Sequence, residues 1–118
     1  METISREELK EKLDRGDNFK LVMTLAEWAY NMSHIPGSLN ITSMTVAQEL
    51  LKPDDEIVVY CSDKNCIASQ AAYKYLTENG FSHVRRYAGG LSDWEQAGYR
   101  LEGEAHPPGS KLLGSQPI

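Results

Sequence analysis

Ile57-Val58-Val59-Tyr60-Cys61-Ser62-Asp63-Lys64-Asn65-Cys66-Ile67-Ala68-Ser69 carries an apolar, β-branched run into a cysteine, across a short polar loop, and into a segment of helical character. The run suits a buried strand, which places Cys61 at the strand's C-terminal end, facing the start of the next helix. Free backbone N–H groups and the positive end of a helix dipole favour thiolate over thiol there. Cysteines so placed have pKa values of roughly 3.5 to 7.5, so a reactive anion exists at neutral pH. Cys61 is therefore a candidate nucleophile. The alternative is a small buried cysteine packed like an alanine. The polar Ser62, Asp63, Lys64 and Asn65 favour the first reading, because they mark an exposed loop rather than a core.

The chain has 118 residues, the size of one domain with a self-sufficient core. A formal net charge of -5 and the absence of a basic run argue against nucleic acid or an anionic membrane surface as partner. Small neutral or protein-borne substrates fit better. No apolar stretch approaches the roughly 18 residues of a membrane span. Met1-Glu2-Thr3-Ile4-Ser5 lacks the basic-then-apolar order of a signal peptide, so the expected location is cytoplasmic. With two cysteines the chain is no disulfide scaffold, and in a reducing compartment such thiols are more often catalytic, redox-active or metal-binding. The three histidines, His34, His83 and His106, are scattered and lack the paired spacing of a zinc motif. No metal or cofactor is implied, and His34 is expected to shape the turn before Pro36.

Strands and helices alternate along the chain. Ser5 with Glu8 is a capping-box signature, and Ile4, Leu9 and Leu13 keep helical spacing up to Gly16, which predicts a helix over 6–15. Phe19 to Leu25 reads as a strand and Ala26 to Met32 as a short helix ending at the turn His34-Ile35-Pro36-Gly37-Ser38. A brief strand at Asn40-Ile41, a helix from Thr45 to Leu51 and a turn at 52–55 lead to the strand Glu56 to Tyr60. Ala68 to Asn79 is helical and stops at Gly80. Val84 to Tyr87 is a strand, and Ser92 to Ala97 a helix after Gly89-Gly90. Residues 103–118, with Pro107-Pro108-Gly109, hold too few apolar anchors to fold and are expected to be a disordered tail behind a domain over 1–102. The alternation predicts an α/β domain: an open, mostly parallel sheet with helices on both faces. Ligands of such sheets sit at the C-terminal ends of strands, where Cys61 also lies.

The opening Ile4-Ser5-Arg6-Glu7-Glu8-Leu9, then Leu21-Val22, then Tyr30 ahead of His34-Ile35-Pro36-Gly37-Ser38-Leu39-Asn40-Ile41 follow one another without a gap. Ile57-Val58-Val59-Tyr60-Cys61, Ala71-Ala72, Gly80-Phe81, Gly89-Gly90-Leu91-Ser92-Asp93-Trp94 and Ala97-Gly98-Tyr99 continue the series. In that order these pieces resemble the single-domain rhodaneses, a sulfurtransferase family, from Ile4 to Glu102. The resemblance implies a Cys61 that takes sulfane sulfur from a small-molecule or protein-borne donor, holds it as a persulfide, and passes it to a thiol or other thiophilic acceptor. A ring of backbone N–H donors would stabilise that persulfide anion.

Two departures qualify the resemblance. Met23, Thr24 and Leu25 stand where the family often has Asp-Val-Arg. The loop Ser62-Asp63-Lys64-Asn65-Cys66-Ile67, the expected substrate-binding segment, is one residue longer than usual and has no arginine; Ser69 takes the Ser/Thr place that follows it. A thiosulfate dianion would meet Lys64 offset by Asp63, without the fork that guanidinium provides, so thiosulfate is expected to be a poor donor. Lys64 is equally readable as a solvated surface residue. Cys66 has two readings: a resolving cysteine that closes a disulfide with Cys61, which would make the chain a thiol redox protein, or a small apolar residue in the sheet–helix interface. A non-catalytic binding module is a further alternative, disfavoured by the cysteine itself. Trp28, Trp94, Tyr73, Tyr75, Phe81 and Tyr87 are expected in the core, and Asp93 capping or solvating the last helix; Gly89-Gly90 either lets the backbone approach the active loop closely or makes a turn, with the turn favoured.

Overall fold

Ser5 opens the first helix: its hydroxyl accepts from the Glu8 N–H at 3.0 Å, and Gly16 closes the helix in the left-handed conformation at φ 70°. In the computed structural model of the chain, which describes residues 1–106, this helix is α1 (Arg6–Arg15). It is followed by β1 (Lys20–Met23), α2 (Glu27–Met32), β2 (Leu39–Asn40), α3 (Met44–Leu50), β3 (Glu56–Tyr60), α4 (Ala68–Glu78), β4 (His83–Arg86) and α5 (Gly90–Gln96). Every element expected from periodicity is present, with ends shifted by a few residues.

The four strands form one parallel sheet in the order β2-β1-β3-β4. Lys20 lies against Ile57 and Met23 against Tyr60, while Glu56 pairs with His83 and Val59 with Arg86. β3 is thus central, and Ile57, Val58, Val59 and Tyr60 are all fully buried. Alternation sends Val58 and Tyr60 to one face with Leu9 and Trp94, and Ile57 and Val59 to the other with Ala47 and Leu76. Helices α1 and α5 therefore cover one face, α3 and α4 the other, so both faces are apolar and the strand reads as an unbroken hydrophobic run. This is the expected open parallel α/β sheet.

The segment His34–Asn40 ties the first half of the chain to the end of β3. The Ile35 N–H donates to the Tyr60 hydroxyl at 2.9 Å. The Ser38 hydroxyl donates to the Ile35 carbonyl at 2.7 Å and lies 2.9 Å from Tyr60 Oη. Burial pushes the Tyr60 phenol up to about 12. His34 shapes the turn as expected: its Nδ1 bonds the Tyr30 carbonyl at 2.7 Å and its ring stacks on Tyr30.

The structure departs from the expectations at particular residues. Trp28 and Tyr75 are exposed: α2 buries none of its residues, and Tyr75 stands at the open rim of the groove between α3 and α4. Of the residues expected in the tail, 103–106 are held against the end of α2. Glu104 and Ala105 donate to the carbonyls of Asn31 and Met32 at 2.8 and 3.0 Å, and the His106 ring meets the Ser33 hydroxyl at 3.1 Å. The open carbonyls at the end of α2 supply the partners that apolar side chains do not. The remainder of the expected tail, 107–118, lies outside the described residues. Asp93 does not cap α5; it accepts from the Tyr87 hydroxyl and, at 3.1 Å, from Arg6. No described helix is long and apolar enough to cross a membrane.

Candidate active site

Cys61 follows directly on β3, and continued alternation turns its side chain to the face that Ile57 and Val59 occupy, beneath the start of α4. It is 1% exposed. Its carbonyl and that of Ser62 point the other way and accept from Leu91 and Ser92, the first turn of α5, at 2.9 and 2.8 Å. Gly90 permits this approach: it sits at φ 65°, and a Cβ there would stand 2.4 Å from the Cys61 carbonyl oxygen. Of the two readings of Gly89-Gly90, the close backbone approach to the loop is the one found, at Gly90.

The loop folds back through Asp63. Its carbonyl accepts from the Cys66 N–H at 3.1 Å and its Oδ1 from the Asn65 N–H at 2.9 Å, an Asx turn. Asp63 therefore shapes the loop with the same carboxylate that was expected to face substrate. Asp63, Lys64 and Asn65 are exposed, Ser62 and Cys66 half-buried, and Ile67, 76% exposed, stands at the rim.

The turn brings the two cysteines together, with Cα atoms 6.4 Å apart, and they are joined in a disulfide. Neither cysteine is free. Cys61 thus does not stand as the expected preformed thiolate in this state, and the Cys66 sulfur is bonded to it. Five residues of separation with a tight turn between them make the bond geometrically accessible.

Arg86 was missed in the sequence. It ends β4, two residues beyond Val84 and on the same face, and its guanidinium passes under the loop at 7% exposure. Nε donates to the Ser69 hydroxyl at 2.8 Å, and Nη2 to the carbonyls of Lys64 and Cys66 at 3.3 and 3.4 Å. No carboxylate pairs with it among the described residues. The Ser69 oxygen, accepting from Arg86, lies 3.4 Å from Cys61 Sγ. A disulfide sulfur carries no proton, so the hydroxyl is the donor of that contact. The loop has no arginine of its own, yet a guanidinium supplied by the neighbouring strand lies beneath it. The signal available in the sequence was a charged residue at a strand position facing inward.

The backbone N–H groups of Asp63, Lys64, Ile67, Ala68 and Ser69 have no acceptor among the described residues. With the α4 N-terminus and Arg86 they give the surroundings of Cys61 Sγ a positive potential. Among the described residues no group of histidine, cysteine and carboxylate side chains could hold a metal. A cavity of about 440 Å³ opens beside the site between α3 and α4, lined by Thr24, Ser43, Met44, Ala47, Ala71 and Tyr75, and reaches neither cysteine.

A family model described as a rhodanese-like domain matches residues 5–97. The HTH-type transcriptional regulator Rv0324 of Mycobacterium tuberculosis is 31% identical over 110 residues, covering 92% of this chain and 47% of that protein. The thiosulfate sulfurtransferase GlpE of Pseudoalteromonas translucida is 34% identical over 71 residues, covering 58% of this chain and 66% of that one. The chain thus spans about half to two thirds of the length of these relatives. The solution structure of the rhodanese-like domain of the Anabaena Alr3790 protein superposes with a TM-score of 0.81 at 27% identity, covering 92% of this chain and 83% of that one.

Proposed function

The chain belongs to the rhodanese-like domain family, and we propose that it is a sulfurtransferase or persulfide carrier that moves sulfane sulfur through a Cys61 persulfide. The observation that carries this reading is the environment of Cys61 Sγ: a buried sulfur beneath the start of α4, donated to by Ser69, with an unpaired guanidinium behind that hydroxyl. A buried cation without a carboxylate partner is costly unless an anion faces it. A thiolate, and then a persulfide anion, at Cys61 supplies that anion. The free N–H groups of the loop spread the charge further, as in an oxyanion hole.

In this reading the dithiol form is the working one. The Cys61 thiolate attacks the outer sulfur of a donor persulfide, the donor leaves as its thiolate, and Cys61 holds one extra sulfur. An external thiol or other thiophile takes that sulfur, and Cys61 returns as thiolate. Ser69 orients the inner sulfur; Arg86 fixes Ser69 and the loop carbonyls. Thiosulfate meets no bidentate side chain on the solvent side of the loop, so persulfide donors are preferred.

The test uses the full chain reduced by a dithiol and freed of reductant. With a glutathione persulfide donor and excess thiol acceptor, the parent should turn over repeatedly. Cys61→Ser should neither turn over nor load. Turnover by Cys61→Ser at the parent rate would end this reading.

A further inference from the structure

We infer that Cys66 is a resolving cysteine, which discharges the Cys61 persulfide as hydrosulfide and makes the chain a reductant-dependent, sulfide-releasing enzyme when no external acceptor is at hand. This rests on the reading of Cys61 as the sulfur-loading residue and adds a second activity to it.

The Cys61–Cys66 bond is held within the folded loop, not at its expense. The Asx turn at Asp63, the Cys66 N–H bonded to the Asp63 carbonyl, and the Cys66 carbonyl bonded to Arg86 are all present with the disulfide closed. The loop therefore brings the Cys66 sulfur to the inner sulfur of Cys61, the atom that a resolving thiolate must reach. A thiolate held there acts at a high effective concentration, against which a dilute external acceptor competes poorly.

Atoms and electrons balance in the resolving step. The Cys66 thiol passes its proton to the outer sulfur of the persulfide anion and its sulfur attacks Cys61 Sγ; the bond from Sγ to the outer sulfur breaks, and the outer sulfur leaves with the electron pair and that proton as hydrosulfide. The sulfane sulfur is reduced by two electrons, and the two cysteines are oxidised to the disulfide. A dithiol reductant then restores both thiols and is itself oxidised to a cyclic disulfide.

The difference in exposure sets the direction of that last step. Cys61 is buried and Cys66 half-exposed, so a dithiol reaches the Cys66 sulfur first. Attack there expels Cys61, whose anion faces Ser69, Arg86 and the free N–H groups; the better-stabilised thiolate is the better leaving group. The two cysteines thus divide the chemistry, with Cys61 loading sulfur and Cys66 resolving the persulfide and exchanging with the reductant.

The experiment mixes the reduced full chain, without reductant or acceptor, with one equivalent of glutathione persulfide under anaerobic conditions. The expected result is about one hydrosulfide released per chain, with both cysteines closed to alkylation and the mass two hydrogens below the reduced chain. Cys66→Ser should keep one extra sulfur on Cys61 and release sulfide at least about tenfold more slowly. A parent that retains the sulfur on Cys61 with Cys66 open to alkylation overturns the inference. So does sulfur found on Cys66, which would mean attack on the outer sulfur. Failure of Cys66→Ser to load Cys61 would instead strike the sulfurtransferase reading itself, and with it this one. If Cys66→Ser does not fold, the sulfide count and thiol state of the parent decide alone.

Discussion

Arg86 Nε donates to the Ser69 hydroxyl at 2.8 Å, which joins the end of β4 to the first turn of α4 directly beneath Cys61. The same guanidinium holds two loop carbonyls, so one side chain sets both the loop and the hydroxyl that meets the sulfur. Arg86→Met should cost about 2 to 3 kcal/mol in urea unfolding, because it leaves the Lys64 and Cys66 carbonyls without their donor. Arg86→Lys keeps the charge but not the fork. It should load Cys61 roughly tenfold more slowly than the parent while recovering part of the stability. Equal loading rates for parent, Lys and Met variants would remove Arg86 from the site.

Gly90 is a steric requirement of the site. At φ 65°, where an added Cβ would stand 2.4 Å from the Cys61 carbonyl oxygen, Gly90→Ala must displace either α5 or the loop. A loss of about 2 to 4 kcal/mol is expected, combining left-handed strain with a forced backbone shift. Denaturant unfolding of the variant beside Gly98→Ala, a glycine at φ 79° with open space around it, separates the two contributions: Gly98→Ala reports strain alone. Equal losses at both positions would refute the close-packing account.

Tyr60 makes stability depend on alkaline pH. Its phenol, near 10 in the unfolded chain, is pushed up to about 12 in the fold, chiefly by burial. The folded state therefore holds the proton more tightly. Stability is whole below pH 10 and falls as pH rises from about 10 towards 12. Burial raises Tyr87 in the same direction, aided by the carboxylate of Asp93, and so adds to the fall. Tyr60→Phe should flatten part of this decline. It should also cost about 1 to 3 kcal/mol at neutral pH by leaving the Ile35 N–H and Ser38 hydroxyl short of a partner. Unfolding measured at about pH 8, 10 and 11 gives both quantities, and parallel pH profiles for parent and variant would contradict the assignment.

Asp63→Asn tests charge and shape separately. Asparagine retains the side-chain oxygen that accepts from the Asn65 N–H, so the turn survives while the negative charge is lost. Thiosulfate use, as kcat/KM, should rise roughly threefold, and Lys64→Ala should lower it by a similar factor, both damped by salt because the side chains are exposed. Glutathione persulfide, whose charge stays largely outside the loop, should respond less. Thiosulfate kinetics indifferent to both changes would show that these side chains do not face the donor.

The sequence by itself determined the order of elements, the parallel sheet and the place of Cys61, because each follows from local signals. Ser5 caps its own helix, Ile57–Tyr60 is apolar on both faces, and a cysteine directly after such a strand must lie at the sheet's C-terminal edge. What joins residues distant along the chain was not legible there. Arg86 carries no role in the sequence, Gly90 reads as a turn or a close approach and Asp93 as capping or solvating α5 until β4, α4 and α5 converge on the loop. Nor did spacing alone show that the loop brings Cys66 to Cys61. The tertiary structure decided these points because a hydrogen bond from Arg86 to Ser69, the contact of Gly90 with Cys61 and the closure of Cys61 on Cys66 depend on how elements pack, and packing is fixed by the buried faces of the whole sheet rather than by any one segment.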